Sequence, residues 1–264
     1  MKISLVLTTL NRADELKNFL LHYINQSYVN HELIIVDQSC DEIASVNQNN
    51  LKRIITANMN VNYVRCKTLG LSHGRNIGLK LVSGDVVGFP DDDCWYPTDF
   101  LEKAFNLFSR NKCDFISGFY REENLDNSNR PFYSHEITKG NMKVEGVNSV
   151  SLFVKFHQAI RFDESIGAGT KMPIGEEKDL VLQELKRGHI GIYDQDFYCF
   201  HIIERSSNLS NEQVLARYAA QTYIYKKHSW SLNYSMKLVK SIVSNLFRGR
   251  FLVVKVIIST LAIK

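Results

Sequence analysis

Short apolar runs alternate with amphipathic segments over residues 1–119 of this 264-residue chain. The apolar runs are rich in β-branched residues and predict strands at 3–9, 32–38, 61–66, 85–89 and 113–119. Between them, apolar residues at helical spacing predict helices at 10–26, with Asn11 as its N-cap, 72–82 and 97–110. This alternation indicates an α/β fold: an open, mostly parallel, Rossmann-like sheet with helices on both faces.

The pattern changes after Phe119. A polar, turn-rich segment follows, strand character returns at 147–156 and 189–202, and a helix is predicted over 176–188 with Gly188 as its C-cap. The last segment is predicted to be helical, in two or three pieces that meet near 229–233 and 248–250. We therefore predict an α/β domain over 1–210, with halves 1–119 and 120–210, and a helical extension over 211–264.

Polar clusters follow three of the predicted strands. The first strand ends in Thr8, Thr9, Asn11 and Arg12, the second in Asp37, and the fourth in GFPDDDCWYP, which contains Asp91, Asp92 and Asp93. Ligands of open α/β sheets gather at the carboxyl ends of the strands. The three clusters therefore predict one binding site at that edge.

Three adjacent carboxylates repel one another, so their clustering calls for positive charge. A divalent cation such as Mg²⁺ or Mn²⁺ supplies it and leaves coordination positions for phosphate oxygens. The alternative is that the aspartates complement the N-terminus of the helix at 97–110. A calcium-binding EF-hand is excluded, because Tyr96 stands where that loop needs glycine.

The segment GLSHGRNIGLK, which starts at Gly70, offers a second candidate contact. Gly74 and Gly78 are expected to let the backbone turn tightly, and Arg75 presents a planar donor fork for phosphate or a base carbonyl. A purely structural turn is the alternative. The segment matches neither a Walker A loop nor a GxGxxG motif, which disfavours ATP hydrolysis and dinucleotide binding.

Taken together, VLTTLNR, IIVDQS, GRNIG, FPDDDCWYP and the later GAGTKMPIGEEKDLVLQELKRG resemble, in order and spacing, the family 2 glycosyltransferases of GT-A fold. The resemblance covers roughly residues 3–205 and leaves the extension out. It implies a metal-dependent enzyme that transfers a sugar from a nucleotide donor to an acceptor with inversion at the anomeric carbon. Residues 1–119 are then the nucleotide-binding half and 120–210 the acceptor-side half.

The same resemblance assigns roles to residues of the first half. Thr8, Thr9 and Arg12 would line the nucleotide pocket, and Asp37 would accept the N3–H of uracil, which favours a UDP-sugar. Arg75 would lie against the base or the diphosphate. Asp91, Asp92 and Asp93 occupy the place of the DxD motif, which holds Mn²⁺ or Mg²⁺ and the ribose. Asp91 and Asp93 have the DxD spacing, Asp92 is a further nucleotide contact, and the register among the three is open.

In the second half, Glu177 stands where the family places its catalytic base, usually an aspartate. The alternative role of Glu176 and Glu177 is to stabilise the helix by placing negative charge at its positively polarised N-terminus. Asp179 is expected to be a solvated acid of the first turn. His201 is a candidate third metal ligand, with a structural role as the alternative, and Arg205 a candidate diphosphate contact. Trp95 would stack on the acceptor sugar or serve ordinary packing.

The predicted reaction is transfer of a sugar to a glycan or lipid-linked saccharide acceptor in surface polysaccharide synthesis. Two other functions are alternatives to it. A non-catalytic nucleotide-sugar or glycan-binding module would retain the fold without the metal or base positions, and here carboxylates occupy both. A sugar nucleotidyltransferase would need a glycine-rich basic loop after the first strand, where LTTLNRADEL has no glycine.

The extension carries the basic charge of the chain. From Gln213 to Lys264 there are nine Lys or Arg and no acidic residue, so the net charge of +4 leaves −5 for residues 1–212. Cations alternating with apolar residues predict amphipathic helices on an anionic membrane surface. A hairpin packed on the body or at a homodimer interface is the alternative, and no nucleic-acid module is predicted.

Two further features concern the compartment. The five cysteines are scattered singly, which predicts neither a zinc knuckle nor a disulfide framework. The apolar run at the N-terminus is shorter than that of a secretory signal. Near the C-terminus, the run FLVVKVIISTLAI is too short to span a bilayer and is interrupted by Lys255. We therefore expect a cytoplasmic protein that lies peripherally on the inner face of the cell membrane.

Overall fold

The computed structural model describes residues 1–56, 59–121, 133–201 and 209–262. Within these ranges, nine strands form one sheet in the order β3-β2-β1-β4-β8-β6-β9-β5, with β7 paired to β9 outside this path. The strands are β1 Ile3–Thr9, β2 His31–Asp37, β3 Val61–Arg65, β4 Val86–Gly88, β5 Cys94–Trp95, β6 Phe115–Arg121, β7 Ser134–Ile137, β8 Phe153–Lys155 and β9 Gly191–His201. The helices are α1 Ala13–Tyr23, α2 Asp41–Ile54, α3 Leu71–Leu79, α4 Phe100–Arg110, α5 Glu176–Arg187, α6 Asn211–Lys227, α7 Leu232–Phe247 and α8 Phe251–Leu261.

The predicted mostly parallel sheet is confirmed. Six strands, β1–β4, β6 and β9, run in one direction, while β5, β7 and β8 run antiparallel to their neighbours. The strand predicted at 147–156 is shorter than expected, because Ser149–Ser151 form a 3₁₀ turn before β8. The side chain of Asn148 accepts from the Ser151 N–H and caps that turn.

Two hydrophobic cores cover the two faces of the sheet. Alternate residues of β1 point to opposite faces, so Ile3, Leu5 and Leu7 pack against α1 while Val6 packs on the other side. The second core also contains Leu180 of α5 and Ile224 of α6. The sheet edge that bears the polar clusters is therefore held between helices on both sides.

Gly74 and Gly78 do not form the predicted tight turn. Both lie inside α3, which packs directly on the sheet. A Cβ on Gly74 would lie 2.7 Å from Thr8 Cγ2, and one on Gly78 would lie 2.4 Å from Val6 Cγ1. The glycines therefore let α3 approach β1 closely, a function that depends on tertiary packing and not on local backbone conformation.

The link between β1 and α1 also differs from the prediction. Asn11 has a left-handed backbone (φ +57°), and the N-cap position belongs to Arg12. The Asn11 side chain instead accepts a hydrogen bond of 2.8 Å from the Cys40 N–H, which fixes the turn to the start of α2. This turn brings Arg12 to the edge of the sheet.

The C-terminal extension forms three helices that pack on one another, and α6 packs on the body. The breaks fall at 228–231 and 248–250, as expected. Ala220 and Ile224 of α6 and Tyr234 of α7 are buried in the core. In the described ranges, every helix is too short or too polar to cross a membrane.

Candidate active site

The carboxyl ends of β1 and β4 meet at one edge of the sheet, where Thr8 and Asp91 form a parallel β-bridge. A cavity of about 320 Å³ opens there, which we call the aspartate cavity. Its lining includes Thr8, Thr9, Arg12, Gln38, Gly70, Asp91, Asp92, Asp93 and His201. The predicted grouping therefore occurs for the ends of β1 and β4, while the end of β2 contributes Gln38 and not the predicted Asp37.

A second cavity adjoins the first one. This glutamate cavity, of about 390 Å³, shares Leu71, Asp91, Ala168 and His201 with the aspartate cavity. Its other lining residues include Tyr120, Ser149, Gly175, Glu176 and Glu177. The two cavities thus meet at Asp91 and His201.

The three aspartates point in different directions. Asp92 is buried, accepts a 2.7 Å hydrogen bond from the Thr9 hydroxyl, and lies 3.1 Å from an Arg12 nitrogen. Burial and the neighbouring aspartates raise the pKa of Asp92 to about 7, against the opposing effects of Thr9 and Arg12. Asp92 is therefore hydrogen-bonded to the protein, while Asp91 lines both cavities and Asp93 lines the aspartate cavity.

Asp91, Asp93 and His201 form a cluster whose candidate ligand atoms all lie within 4.8 Å of one another. His201 Nε2 is 3.1 Å from Asp93 Oδ1 and 4.0 Å from Asp91 Oδ2. Burial raises the pKa of Asp93, but His201 and Arg12 outweigh that effect and lower it to about 2. The two carboxylates suit Mn²⁺ or Mg²⁺, and the imidazole favours Mn²⁺, because Mg²⁺ prefers oxygen ligands.

Arg75 does not face the aspartate cavity, contrary to the expected contact with a base or diphosphate. Its side chain is fully buried between the rings of Phe89 and Phe162, 5.9 and 5.2 Å from the ring centroids. It donates to Asp91 Oδ1 over 2.8 Å and to Glu176 Oε1 over 3.1 Å. Arg75 therefore positions one residue of the metal cluster and the start of α5, and a ligand does not reach it.

Asp37 is also turned away from the cavity. It is fully buried and accepts from the Ser39 N–H (2.7 Å), from Asn47 (2.8 Å) and from the Tyr63 hydroxyl (2.5 Å). Burial raises its pKa, and these hydrogen bonds lower it below the ordinary value. The expected acceptance of a uracil N3–H is not supported, because its oxygens are already hydrogen-bonded inside the protein. The next residue, Gln38, lines the cavity instead.

The two glutamates at the start of α5 differ in environment. Glu176 is buried and paired with Arg75, whereas Glu177 is partly exposed and lines the glutamate cavity. Burial, and then the neighbouring charge of Glu176, raise the pKa of Glu177 to about 7. Such a carboxylate accepts a proton more readily than an ordinary one near neutral pH.

Three further residues that the sequence placed near the site are Asp179, Trp95 and Arg205. Asp179 is not solvated: it is fully buried and lies 2.8 Å from Lys227 Nζ and 2.7 Å from His228 Nε2. Trp95 stacks on Phe200 at 5.7 Å and belongs to neither cavity, which favours ordinary packing. Arg205 lies outside the described residues.

The helix-capping alternative for the aspartates is not observed. The N-cap of α4 is Asp99, which lies beyond the cluster.

Three residues of the site were missed by sequence reasoning: Gln38, Tyr120 and Ser149. Ser149 donates to Asp91 Oδ2 over 3.3 Å, and the Tyr120 ring packs edge-on against His201 at 5.7 Å. For Gln38, its position directly after Asp37 at a strand end was an available signal. Ser149 and Tyr120 had none, because they reach the site through the path of the chain.

The chain is similar to known glycosyltransferases. The model for "Glycosyl transferase family 2" matches residues 4–167. Glycosyltransferase GlyA of Streptococcus pneumoniae serotype 4 is 29% identical over 159 residues, 60% of this chain and 22% of that protein. The poly(ribitol-phosphate) β-N-acetylglucosaminyltransferase TarP of Staphylococcus aureus is 26% identical over 175 residues, 62% of this chain and 50% of that protein. The chain thus spans half or less of the length of these curated relatives.

Solved structures share the fold. S. aureus TarS 1–349 superposes with a TM-score of 0.65 at 16% identity, covering 85% of this chain and 64% of that one, and it is also known with UDP-GlcNAc. The mannosyltransferase PcManGT of Pyrobaculum calidifontis, in complex with GDP-Man and Mn²⁺, gives 0.69 at 14% identity and covers 99% of this chain and 74% of that one. At these identities the likeness concerns the fold.

Proposed function

This chain belongs to glycosyltransferase family 2 and has the GT-A fold. We therefore propose that it transfers the sugar of a UDP-sugar to a saccharide acceptor with inversion at the anomeric carbon. One observation carries the proposal: Glu177, with its raised pKa, lines the same cavity as Asp91 and His201 of the metal cluster. A base and a cation site thus border one space in which a sugar and an acceptor hydroxyl can meet.

The proposed cation site consists of Asp91, Asp93 and His201. Asp91 gives one oxygen to Arg75 and Asp93 gives one to Arg12, while the other oxygen of each lies 3.1 to 4.0 Å from His201. Their orientation and chemistry therefore fit a resident Mn²⁺ or Mg²⁺. When bound, such a cation stabilises negative charge on a departing diphosphate.

The proposed reaction is a single in-line displacement. Glu177 takes the proton of the acceptor hydroxyl while that oxygen bonds to the anomeric carbon. The bond from this carbon to the diphosphate oxygen breaks on the opposite side, so the configuration inverts and the nucleoside diphosphate leaves. Arg75 holds Glu176 and Asp91 in place and thereby orients the helix that carries Glu177.

UDP is the nucleotide that we propose. TarS, which shares the fold, is known with UDP and UDP-GlcNAc, whereas PcManGT is known with GDP-Man. Since Asp37 is sealed off, we assign recognition of the base to the cavity wall at Gln38. Its Nε2 donates to the carbonyls of Thr68 and Gly70, which fixes the amide in place.

The acceptor and cellular setting are also part of the proposal. GlyA and TarP are bacterial glycosyltransferases, and TarP acts on poly(ribitol phosphate) by its name, which supports a role in surface polysaccharide synthesis. Exposed apolar residues on α7 and α8 accompany the basic charge of the extension: Leu232, Met236, Val239, Phe247, Phe251 and Leu252. We assign this surface to the inner, anionic face of the cell membrane, with a homodimer contact as the alternative occupant.

Calorimetric titration of UDP, with and without Mn²⁺, tests the proposal. We expect Mn²⁺ to strengthen UDP binding to the wild type at least tenfold, and Asp93→Ala to remove that gain. Asp99→Ala is the matched control, because Asp99 is a half-exposed aspartate at α4 outside both cavities. UDP binding that does not depend on Mn²⁺ would favour a non-catalytic nucleotide-sugar module. A folded sample that binds neither UDP nor Mn²⁺ would refute both the enzyme and the module.

A further inference from the structure

A third cavity, of about 420 Å³, adjoins the base from the side of the C-terminal helices. It lies between the N-terminus of α5, residues 144–145, α6 and α7, and we call it the extension groove. Glu177 and Gly175 line both this groove and the glutamate cavity. The groove therefore leads from the C-terminal helices to the carboxylate that receives the acceptor proton.

The walls of the groove are held firmly together. Lys227 of α6 lies 2.8 Å from the buried Asp179 of α5 and 2.6 Å from Asp163, and His228 lies 2.7 Å from Asp179. Gly175 has φ +95°, and a Cβ there would lie 2.4 Å from Ile224 Cδ1 of α6. The close approach of α6 to the start of α5 thus depends on glycine at this position, and the groove is part of the packed structure.

The lining combines aromatic rings with positive charge. Tyr218 and Tyr225 of α6 line the groove, and aromatic rings provide apolar contact area for a sugar. Three cations line the groove: Lys178, Arg217 and Lys237. Lys237 is paired with Glu145 at 2.7 Å, but in the described part of the chain Lys178 and Arg217 make no salt bridge within 4.0 Å. The charge of Lys178 also acts on the Glu145 and Glu177 carboxylates of the lining. The exposed Arg217 is therefore the cation that first meets an anionic ligand, with Lys178 as the second.

We propose that the extension groove binds a phosphate-bearing segment of the saccharide acceptor. Arg217 and Lys178 bind the phosphate, the tyrosines contact the sugar next to it, and the acceptor hydroxyl lies at Glu177. An arginine fork matches the geometry of phosphate oxygens. The inference rests on the proposed glycosyl transfer, and it gives the extension a part in acceptor recognition that is separate from any membrane contact.

N-acetylglucosamine 1-phosphate and N-acetylglucosamine form a matched pair of probes. Their binding is measured by ligand-observed NMR with UDP and Mn²⁺ at saturation, so that the aspartate cavity is filled, and again without UDP. We expect the phosphorylated sugar to bind at least tenfold more tightly than the neutral one. Inorganic phosphate and farnesyl phosphate, below its micelle concentration, distinguish a bare anion and a lipid phosphate from a sugar phosphate.

Arg217→Gln and Lys178→Gln each remove one charge from the groove without creating a cavity. We expect either change to weaken binding of the sugar phosphate about tenfold and leave the neutral sugar unaffected. Arg248→Gln is the control, since Arg248 is exposed at the end of α7 and does not line the groove. Unchanged melting temperatures verify that all three variants are folded.

Equal affinity of the two sugars, or equal loss in Arg217→Gln and Arg248→Gln, would overturn the proposal. So would inorganic or farnesyl phosphate binding as tightly as the sugar phosphate with the same dependence on Arg217. UDP binding is measured separately, so a failure of glycosyl transfer itself would show there, whereas the failure of this inference would leave UDP binding intact.

Discussion

Arg75 donates a 2.8 Å hydrogen bond to Asp91 from a position with no solvent exposure. The same guanidinium bonds Glu176, 101 residues further along the chain, and so links the cluster of Asp91, Asp93 and His201 to the start of α5. Asp91 therefore owes its orientation to a residue that no substrate touches.

Arg75→Met should destabilise the protein strongly. The change leaves the Glu176 and Asp91 carboxylates without their shared cation, and breaking a buried pair costs roughly 3–5 kcal/mol. Urea unfolding measures the loss. Arg12→Met is the comparison: Arg12 also bridges two aspartates but is 41% exposed, so solvent screens its charge and its removal should cost less than that of Arg75. Equal losses would show that the burial of Arg75 has no energetic consequence.

Glu177→Gln should abolish most of the turnover while leaving the fold and donor binding intact. The amide keeps the size of the side chain but cannot take a proton, and loss of a general base lowers kcat by about 10²–10⁴. UDP release from a UDP-sugar that the wild type turns over is the assay. Glu176→Gln is the contrasting variant, since it weakens the contact with Arg75 and should lower stability. A Glu177→Gln enzyme with undiminished kcat would remove Glu177 from the mechanism.

The pH profile should report the raised pKa of Glu177. The base acts in its deprotonated form, which is lost as the pH falls through about 7. We therefore expect kcat/KM to rise with pH up to about 7, the range in which Glu177 and Asp92 both lose their protons, and then to level off. An ordinary glutamate, with a pKa of about 4.3, would give a flat profile above roughly pH 5.5. A flat profile from pH 5.5 to 8 in the wild type would contradict the assignment.

Asp179→Ala should loosen the C-terminal helices. It removes the buried acceptor of Lys227 and His228, and hydrogen bonds to charged groups contribute roughly 1.5–3 kcal/mol each. We expect lower unfolding stability and faster proteolysis between α5 and α6. Asp99→Ala removes an exposed i,i+4 pair with Lys103 and should cost less than about 1 kcal/mol. Proteolysis at the wild-type rate would show that other contacts hold α6.

Membrane association should depend on the apolar residues between α7 and α8. In a flotation assay with anionic liposomes, the wild type should float with the liposomes. The double variant Phe247→Ser/Phe251→Ser should remain in the bottom fraction of the gradient. Both rings are largely exposed, at 89% and 71%, so the change does not disturb a core. Val29→Ser is the control on the body, where Val29 is 88% exposed. A folded wild type that fails to float would end the membrane proposal, and a dimer in light scattering would then assign the surface to a second copy.

The sequence predicted the sheet and the meeting of the β1 and β4 strand ends, because both follow from local patterns. The strand ends of β1 and β4 must lie at one edge of a parallel sheet, so Thr8 and Asp91 were expected near each other, and they pair directly. Strand periodicity and the polar residues after each strand were sufficient for this inference.

The environments of individual charges could not be predicted in the same way. Arg75 and Asp37 belong to motifs that suggest ligand contacts, yet both are fully buried and hydrogen-bonded inside the protein. Asp179 resembles an ordinary first-turn acid, and its partners Lys227 and His228 lie 48 and 49 residues away in the extension. Burial is set by tertiary packing, and a single local pattern carries little information about it.

The contact of Asp179 with Lys227 and His228 also bears on where the chain can be divided. Helices α5 and α6 are joined through this one buried carboxylate. Exchange of the tail at residue 210 would remove both partners of this buried carboxylate, so we expect a chimaera joined there to be less stable than one in which Asp179, Lys227 and His228 come from the same parent. For protein engineering, α5 and the C-terminal helices therefore form one exchangeable module, although the sheet ends before those helices begin.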